Sequence, residues 1–383
     1  MHTTPATRIH WTEAGQEHSA LWRSESGMPA PKKVVIADDK TPADLAYRLA
    51  CEGTALLWRG DFQNARQLLQ ALARRADHKG GKARRVKEPK AAPSLAEAFH
   101  LHRQAQSQRA RTLAMLLIPF DADYAIPLRR APDVKLACNE AYGRGEEPFV
   151  ASLRELLGVI GAHEWRKNGV EIPALDERIH PHYGVFSPIR GEYVQLVAQA
   201  PLPAGAKRAF DIGAGTGVLA AVLAKRGLQV IATDMDQRAL SCARENILRL
   251  DLQSQVQVVQ ADLFPEGRAP LAVCNPPWLP GRPSSSIEYA IYDPESRMLR
   301  GFLDGLAAHL EPGGEGWLIL SDLAEHLGLR PREQLMGWIE TAGLKVIDRL
   351  DVRPTHPRAS DATDPLHAAR AAEVTSLWRL AAR

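Results

Sequence analysis

Cysteine is scarce in this chain, with four in 383 residues, and no two of them form a Cys-x-x-Cys pair. Cys51, Cys138, Cys242 and Cys274 stand far apart, which argues against a structural zinc site and fits a reducing cytosol. The opening residues Met1-His2-Thr3-Thr4-Pro5 lack the basic-then-apolar layout of a secretory signal. No apolar run approaches the roughly 20 residues that span a bilayer; the run from Leu113 to Phe120 is too short. Charge of one sign is also missing. With 48 Lys and Arg against 45 Asp and Glu, the net is +3, so overall charge selects no partner. What is present is a hydrophobic fraction of 45%, ordinary for a globular protein and contrary to wholesale disorder. A cytoplasmic protein with no membrane and no metal partner is expected, and the length suggests two domains.

The first 180 residues carry no internal repeat. Short strands are expected at His10-Trp11 and Lys33-Val34-Val35-Ile36. Thr41-Pro42-Ala43-Asp44 reads as a helix start with a capping threonine and a first-turn proline. Phe62, Ala65, Leu68, Leu69 and Leu72 recur at helical spacing. Ser94-Leu95-Ala96-Glu97 is a capping box, opening a helix that runs to about Leu117 and is stopped by Pro119. This part therefore reads as mainly helical. Between its helices, residues 74–90 hold eight Lys and Arg against Asp77 and Glu88. Such a basic loop attracts a phosphate backbone through counterion release, or it is a solvated loop that keeps the protein soluble.

From about residue 208 the pattern changes. Strand-like runs at 208–212, 229–233, 256–259, 271–274, 316–320, 345–350 and 375–380 alternate with helical segments at 218–226, 237–250, 298–310 and 332–342. That alternation means a parallel, doubly wound sheet, with the last two strands expected as an antiparallel hairpin at its edge. Between the first strand and helix lies Asp211-Ile212-Gly213-Ala214-Gly215-Thr216-Gly217. A glycine-rich turn here lets backbone approach a ligand and aims N–H groups at it. Val218 occupies the place where a dinucleotide fingerprint wants its third glycine or alanine, so a nicotinamide or flavin fits poorly. Asp234 ends the next strand 21 residues after Gly213, near the ~20-residue spacing at which a strand-end acid reaches ribose hydroxyls. Asp262 follows the strand after that.

Asn275-Pro276-Pro277-Trp278 follows the fourth strand. Two prolines fix φ and donate no N–H, so the loop holds its carbonyl oxygens at set positions. The Asn275 side-chain oxygen and the Pro276 backbone oxygen can accept both hydrogens of an NH₂ group, and Trp278 offers a flat face. A planar amine has a delocalised lone pair. Two acceptors turn that lone pair toward an electrophile and stabilise the charge that develops on nitrogen.

This constellation resembles the class I S-adenosylmethionine-dependent methyltransferases, and within them the amino-methylating group with Asn-Pro-Pro-aromatic. The resemblance covers roughly residues 185–350. It implies an α/β fold: a Rossmann-like core on a mostly parallel, doubly wound seven-stranded sheet, here joined to an N-terminal mainly helical domain. It also implies that the loop of Asp211, Gly213, Gly215 and Gly217 wraps the methionine part of S-adenosyl-L-methionine. Asp234 then holds the ribose, Asp262 touches the adenine amino group, and Asn275, Pro276, Pro277 and Trp278 form the catalytic clamp. Two groups share the clamp: adenine-N6 methyltransferases on DNA or RNA, and release-factor glutamine methyltransferases of the HemK type. Both more often carry tyrosine or phenylalanine at the position of Trp278. The segment Tyr183–Tyr193 loosely resembles the pre-core segment of the glutamine enzymes but lacks their Pro-Arg-Pro-Glu-Thr-Glu run. Its Phe186, Pro188 and Arg190 either cover the cofactor or pack.

The expected arrangement is a substrate-selecting region over 1–180, with its basic loop at 74–90, and a methyltransferase domain over 181–383. The expected activity is methyl transfer to an adenine amino group, with RNA favoured over DNA. A glutamine side chain of a translation protein is the alternative, and a non-catalytic RNA-binding module that kept the fold is a third reading. His180-Pro181-His182 reads as structural rather than metal-binding, and Asp293-Pro294-Glu295 as a helix cap.

Overall fold

Two large β-sheets organise the chain, one in each of two units: residues 1–92 with 100–164, and residues 93–99 with 165–383. The computed structural model describes residues 7–79, 94–189, 191–283, 286–354 and 364–383. The basic stretch from Gly80 to Lys90, and Arg190, lie outside the described residues.

The first unit runs β1 (Arg8–Glu13), β2 (Gln16–Trp22), β3 (Lys33–Ala37), α1 (Ala43–Cys51), β4 (Thr54–Trp58), α2 (Phe62–Lys79), α3 (Leu95–Leu113), β5 (Leu116–Phe120), α4 (Lys135–Tyr142), β6 (Phe149–Ser152) and α5 (Leu153–Asn168). Its six strands lie in the order β1-β2-β6-β5-β4-β3, with β3, β4 and β5 parallel. Helices hold more of this unit's residues than strands do, as expected, but no sequence pattern marked a six-stranded sheet. All five residues of β4 and four of the five in β5 are buried. A strand covered on both faces has no alternating pattern and reads like a buried helix segment. For the same reason the helix placed up to Leu117 ends at Leu113, and Pro119 sits inside β5. The capping box forms in both directions: Ser94 N–H donates to the Glu97 carboxylate at 2.8 Å, and Glu97 N–H to Ser94 Oγ at 3.2 Å. Thr41 is no cap. Its hydroxyl accepts Asp38 N–H at 3.0 Å, and Pro42 stands at the cap of α1.

The second unit opens with a small hairpin, β7 (Val170–Ile172) and β8 (Glu177–Ile179), then α6 (Glu192–Gln199). Next come β9 (Arg208–Ile212), α7 (Val218–Lys225), β10 (Gln229–Asp234), α8 (Gln237–Arg249), β11 (Val256–Gln260) and β12 (Ala269–Cys274). The short β13 (Leu279–Pro280) and β14 (Tyr292–Asp293) precede α9 (Arg297–His309) and β15 (Leu310–Ser321). The chain closes with α10 (Leu323–His326), α11 (Arg332–Thr341), β16 (Leu344–Val352), α12 (His367–Ala372) and β17 (Thr375–Ala382). The large sheet has the order β11-β10-β9-β12-β15-β17-β16, with only β17 antiparallel to its neighbours. This is the expected doubly wound, mostly parallel seven-stranded sheet. The terminal hairpin forms with β16 outermost and β17 inserted beside β15.

Alternation of side chains across the strands builds two cores. One gathers Val230, Ala232, Val273 and Ile319 with Leu219 and Val222 of α7. The other gathers Phe210, Ile212, Ala272 and Leu318 with Leu299, Phe302 and Leu306 of α9. The division between units falls at 164/165 rather than 180/181, because Val170, Ile172, Leu175 and Ile179 are buried in the first of these cores.

Candidate active site

The chain moves outward from β9 to β10 and β11, then returns to the other side of β9 as β12. Where strand order reverses in this way, a crevice opens at the carboxyl ends of the strands. Ile212 of β9 lies opposite Cys274 of β12 on one side and Thr233 of β10 on the other. Gly213, Asn275 and Asp234 are the residues that follow. Three of the expected site elements therefore leave neighbouring strands at one level, with strands spaced ~4.8 Å apart.

The glycine loop is built for close approach. Gly213, Gly215 and Gly217 have φ of +79°, +54° and +79°, a region other residues enter at a cost. A side chain at Gly213 meets the Met298 methyl, and one at Gly217 lies 3.2 Å from Ala243. A side chain at Gly215 meets nothing within 4 Å, so here the backbone faces open space. The N–H groups are not aimed at a ligand as expected. Gly213 and Ala214 donate to the Thr233 carbonyl, Gly217 to the Ala214 carbonyl, and Gly215 to Asp234 Oδ2 at 3.0 Å. A loop whose donors are already engaged is a poor cradle for pyrophosphate.

Asp211 is 1% exposed, and its Oδ2 accepts Ala220 N–H from the first turn of α7 at 2.9 Å. One of its oxygens is thus engaged with α7, a contact that no sequence motif indicates. Burial pushes its carboxyl up to about 7, against the pull of the Ala220 N–H. Asp234 is half-buried. Burial raises its carboxyl as well, opposed by the N–H groups of Asp236 and Gly215. Asp262 is exposed and pairs with Arg297 at 2.8 Å.

On the other side of the crevice, Asn275 Oδ1 accepts the Trp278 indole N–H at 2.9 Å. No hydrogen bond reaches the Pro276 carbonyl among the described residues. The Trp278 ring is partly buried and packs against both cores. Its own carbonyl accepts from Arg330 at 3.3 Å. Arg330 is 2% exposed, and burial lowers its pKa. No motif marked it, since it lies 52 residues beyond Trp278. Asp293 is the expected cap: its two oxygens accept Met298 and Leu299 N–H, each at 3.0 Å. Before α9, Glu295 and Ser296 both take positive φ, a local strain that this cap holds in place.

A second support lies behind the loop. Asn246 on α8 is fully buried. Its Oδ1 accepts His180 N–H at 2.8 Å, and its Nδ2 donates to the carbonyls of His180 and Thr216. It ties the segment leading to Phe186 to the glycine loop. Its position among Ala239, Leu240, Cys242, Ala243 and Ile247, the buried face of α8, was a readable signal: a polar residue on an apolar stripe. Asn246→Ala takes the partner from His180 N–H and the Thr216 carbonyl, the His180 carbonyl keeping the Cys242 thiol, and should cost about 3 kcal/mol, measured by urea denaturation. The histidines are structural. His180 Nδ1 meets the Arg166 carbonyl, and His182 pairs with Glu245 at 2.7 Å. Among the described residues no group of three or more His, Cys, Asp or Glu is placed to hold a metal ion, and no helix is long and apolar enough to cross a membrane.

Residues 177–332 match the family model described as the methyltransferase small domain. This segment, which holds the glycine loop and Asn275–Trp278, is thus similar to small-domain methyltransferases. The chain is 41% identical over 93 residues to a tRNA1(Val) (adenine(37)-N6)-methyltransferase of Klebsiella pneumoniae (strain 342), covering 22% of this chain and 38% of that protein. It is 31% identical over 163 residues to a release factor glutamine methyltransferase of Cereibacter sphaeroides, covering 38% and 56%. A tRNA1(Val) (adenine(37)-N6)-methyltransferase of Shewanella sp. (strain MR-4) is 31% identical over 144 residues, covering 35% and 60%. The chain thus spans between 38% and 60% of the length of these relatives.

Proposed function

We propose that the second unit transfers a methyl group from S-adenosylmethionine to a planar amino nitrogen, with an adenine amino group in RNA as the first substrate class and DNA behind it. The observation that carries this reading is the register. Gly213 and Asn275 leave adjacent strands on either side of the switch point. The donor set fits the cofactor. The loop offers open backbone at Gly215 and engaged N–H groups, suited to a cation rather than to a pyrophosphate. Asp234 stands beside it as an acceptor for ribose hydroxyls, and Asp262 follows β11 toward the adenine end. When bound, S-adenosylmethionine supplies a methyl carbon made electrophilic by its positively charged sulfur.

The chain's own part is positioning. Asn275 Oδ1 and the Pro276 carbonyl accept the two amine hydrogens, so the nitrogen lone pair points at the methyl group. With the cofactor bound, that orientation would present the nitrogen to the methyl carbon as the carbon–sulfur bond's pair stayed with sulfur. The charge on nitrogen rests against the two oxygens until its proton leaves to solvent. No strong base is needed.

The adenine reading draws support from two relatives named for adenine-N6 methylation of a tRNA. The glutamine alternative draws on a relative matched over a larger share of this chain. In the first unit, proposed to select substrate, Arg75 pairs with Asp44 and Arg109 with Asp77, each at 2.7 Å. These two cations are therefore less available to a phosphate backbone.

Tritiated methyl transfer into a cell lysate, split by nuclease and by protease, tests the substrate. Label lost to nuclease supports RNA or DNA, whereas label lost only to protease overturns it in favour of a protein. Asp234→Ala should weaken cofactor binding in calorimetry by about 10- to 100-fold, the worth of a charge-assisted hydrogen-bond pair. Affinity unchanged in that variant would remove Asp234 from the cofactor site.

A further inference from the structure

Trp278 occupies the place where an exposed aromatic platform was expected, and its surroundings suit another task. Both cores contribute packing around its ring. Its carbonyl is held by the buried Arg330 at 3.3 Å, and its indole N–H points back to Asn275 Oδ1 at 2.9 Å. A ring packed in this way is held in one orientation. Its N–H is a fixed donor, because an indole rotates only as a whole.

We propose that Trp278 is a positioning residue whose indole N–H sets the Asn275 amide, leaving the second lone pair of Oδ1 for the incoming amine. The inference rests on the amino-methylation reading and deepens it. An asparagine amide turns easily about its last torsion, and its two ends differ in sign. If the amide flipped, its NH₂ would face the substrate NH₂, donor against donor, and the clamp would be lost. The indole can only donate, so only the oxygen end can face it. A carbonyl oxygen has two lone pairs in its plane. One is taken by the indole, and the other is presented at a fixed angle. Phenylalanine at this position would fill space but leave the amide free to turn. Arg330 completes the chain of supports by fixing the backbone from which the indole projects.

Two modifications separate this role from stacking and from simple packing. Trp278→Phe keeps an aromatic ring and removes the donor. Replacement of Trp278 by 3-benzothienylalanine keeps the shape of the indole and substitutes sulfur for the N–H. The acceptor probe is bulk RNA from cells lacking the protein, with tritiated S-adenosylmethionine as donor. Both changes should lower the single-turnover rate about tenfold, the worth of one orienting hydrogen bond. Cofactor affinity and the RNA concentration at half-saturation should stay within about twofold. A rate equal to the parent's in the benzothienyl protein would refute the proposal. So would a loss confined to RNA half-saturation, which is the signature of a stacking platform. Hydrogen exchange of the Trp278 indole proton by NMR tests the contact without any acceptor. Exchange should accelerate severalfold in Asn275→Ala, and an unchanged rate there overturns the inference. If bulk RNA takes no label from the parent protein, the RNA reading falls, and the exchange experiment still decides the role of Trp278.

Discussion

Asn275→Ala should slow methyl transfer by about 10²- to 10³-fold while leaving S-adenosylmethionine affinity within about twofold. The size follows from the role. One oxygen aimed at developing charge is worth about as much as one donor of an oxyanion hole. The selectivity follows from placement. Asn275 leaves the strand beside the glycine loop but shares no hydrogen bond with it, so the cofactor loop keeps its shape. Asn275→Asp retains an acceptor for both the indole and the amine and should keep activity within about tenfold of the parent. Calorimetry for the cofactor and single-turnover label transfer for the chemistry separate the two quantities. Equal transfer rates in the alanine variant and the parent would remove the clamp from the mechanism.

The catalytic half was readable because its signals are local. The strand over 208–212, the glycine turn at 213–217 and the helix over 237–249 follow from runs of a few residues. Each ends at a glycine or at a polar cap such as Asp236. Adjacency of Gly213 and Asn275, 62 positions apart, follows from the switch-point topology once strand–helix alternation is recognised. What was hidden is what each polar group does with its second partner. Nothing in Asp211-Ile212-Gly213 says that the carboxylate turns back to Ala220. Nothing in Asn-Pro-Pro-Trp says that the indole reaches Asn275, or that an arginine 52 residues on holds the backbone between them. Those contacts are set by tertiary packing, which no short pattern records.

The first unit was harder for a physical reason. Leu56, Leu57, Leu116 and Leu117 are all fully buried, and the pairing β4·β5 rests on Leu56 opposite Leu116 and Leu57 opposite Leu117. Buried on both faces, such a strand shows neither a period of two nor a period of 3.6. The neighbouring helices are long, α2 by its apolar spacing and α3 by its capping box, and they dominated the reading. Even so, the capping box at Ser94 and the strands at Arg8–Glu13 and Lys33–Ala37 were legible, because caps and exposed edges keep their local chemistry.

Asp211 gives the largest expected effect on stability. Its carboxyl is pushed up to about 7 by burial, with Asp234 adding to the rise and the Ala220 N–H opposing it. In the unfolded chain an aspartate titrates near ~3.9. Below that value both states are protonated and the group has no effect on folding. Between about 4 and 7 the unfolded chain is ionised while the folded protein holds its proton, so stability falls by ~1.4 kcal/mol per pH unit. Above 7 both are ionised, and the accumulated loss stays at up to roughly 4 kcal/mol. The favourable contribution is thus present in acid and lost as pH rises. Asp211→Asn keeps an oxygen for Ala220 N–H and removes the charge, so its stability should be flat where the parent's declines. The variant should match the parent near pH 4 and exceed it at pH 8 by up to roughly 4 kcal/mol, read from urea midpoints at pH 4, 6 and 8. Calorimetry of the same variant for S-adenosylmethionine separates the two roles: affinity within about threefold of the parent marks a purely structural carboxyl, and a tenfold loss marks a cofactor contact. Parallel stability curves for the two proteins would show that Asp211 is not a buried proton carrier.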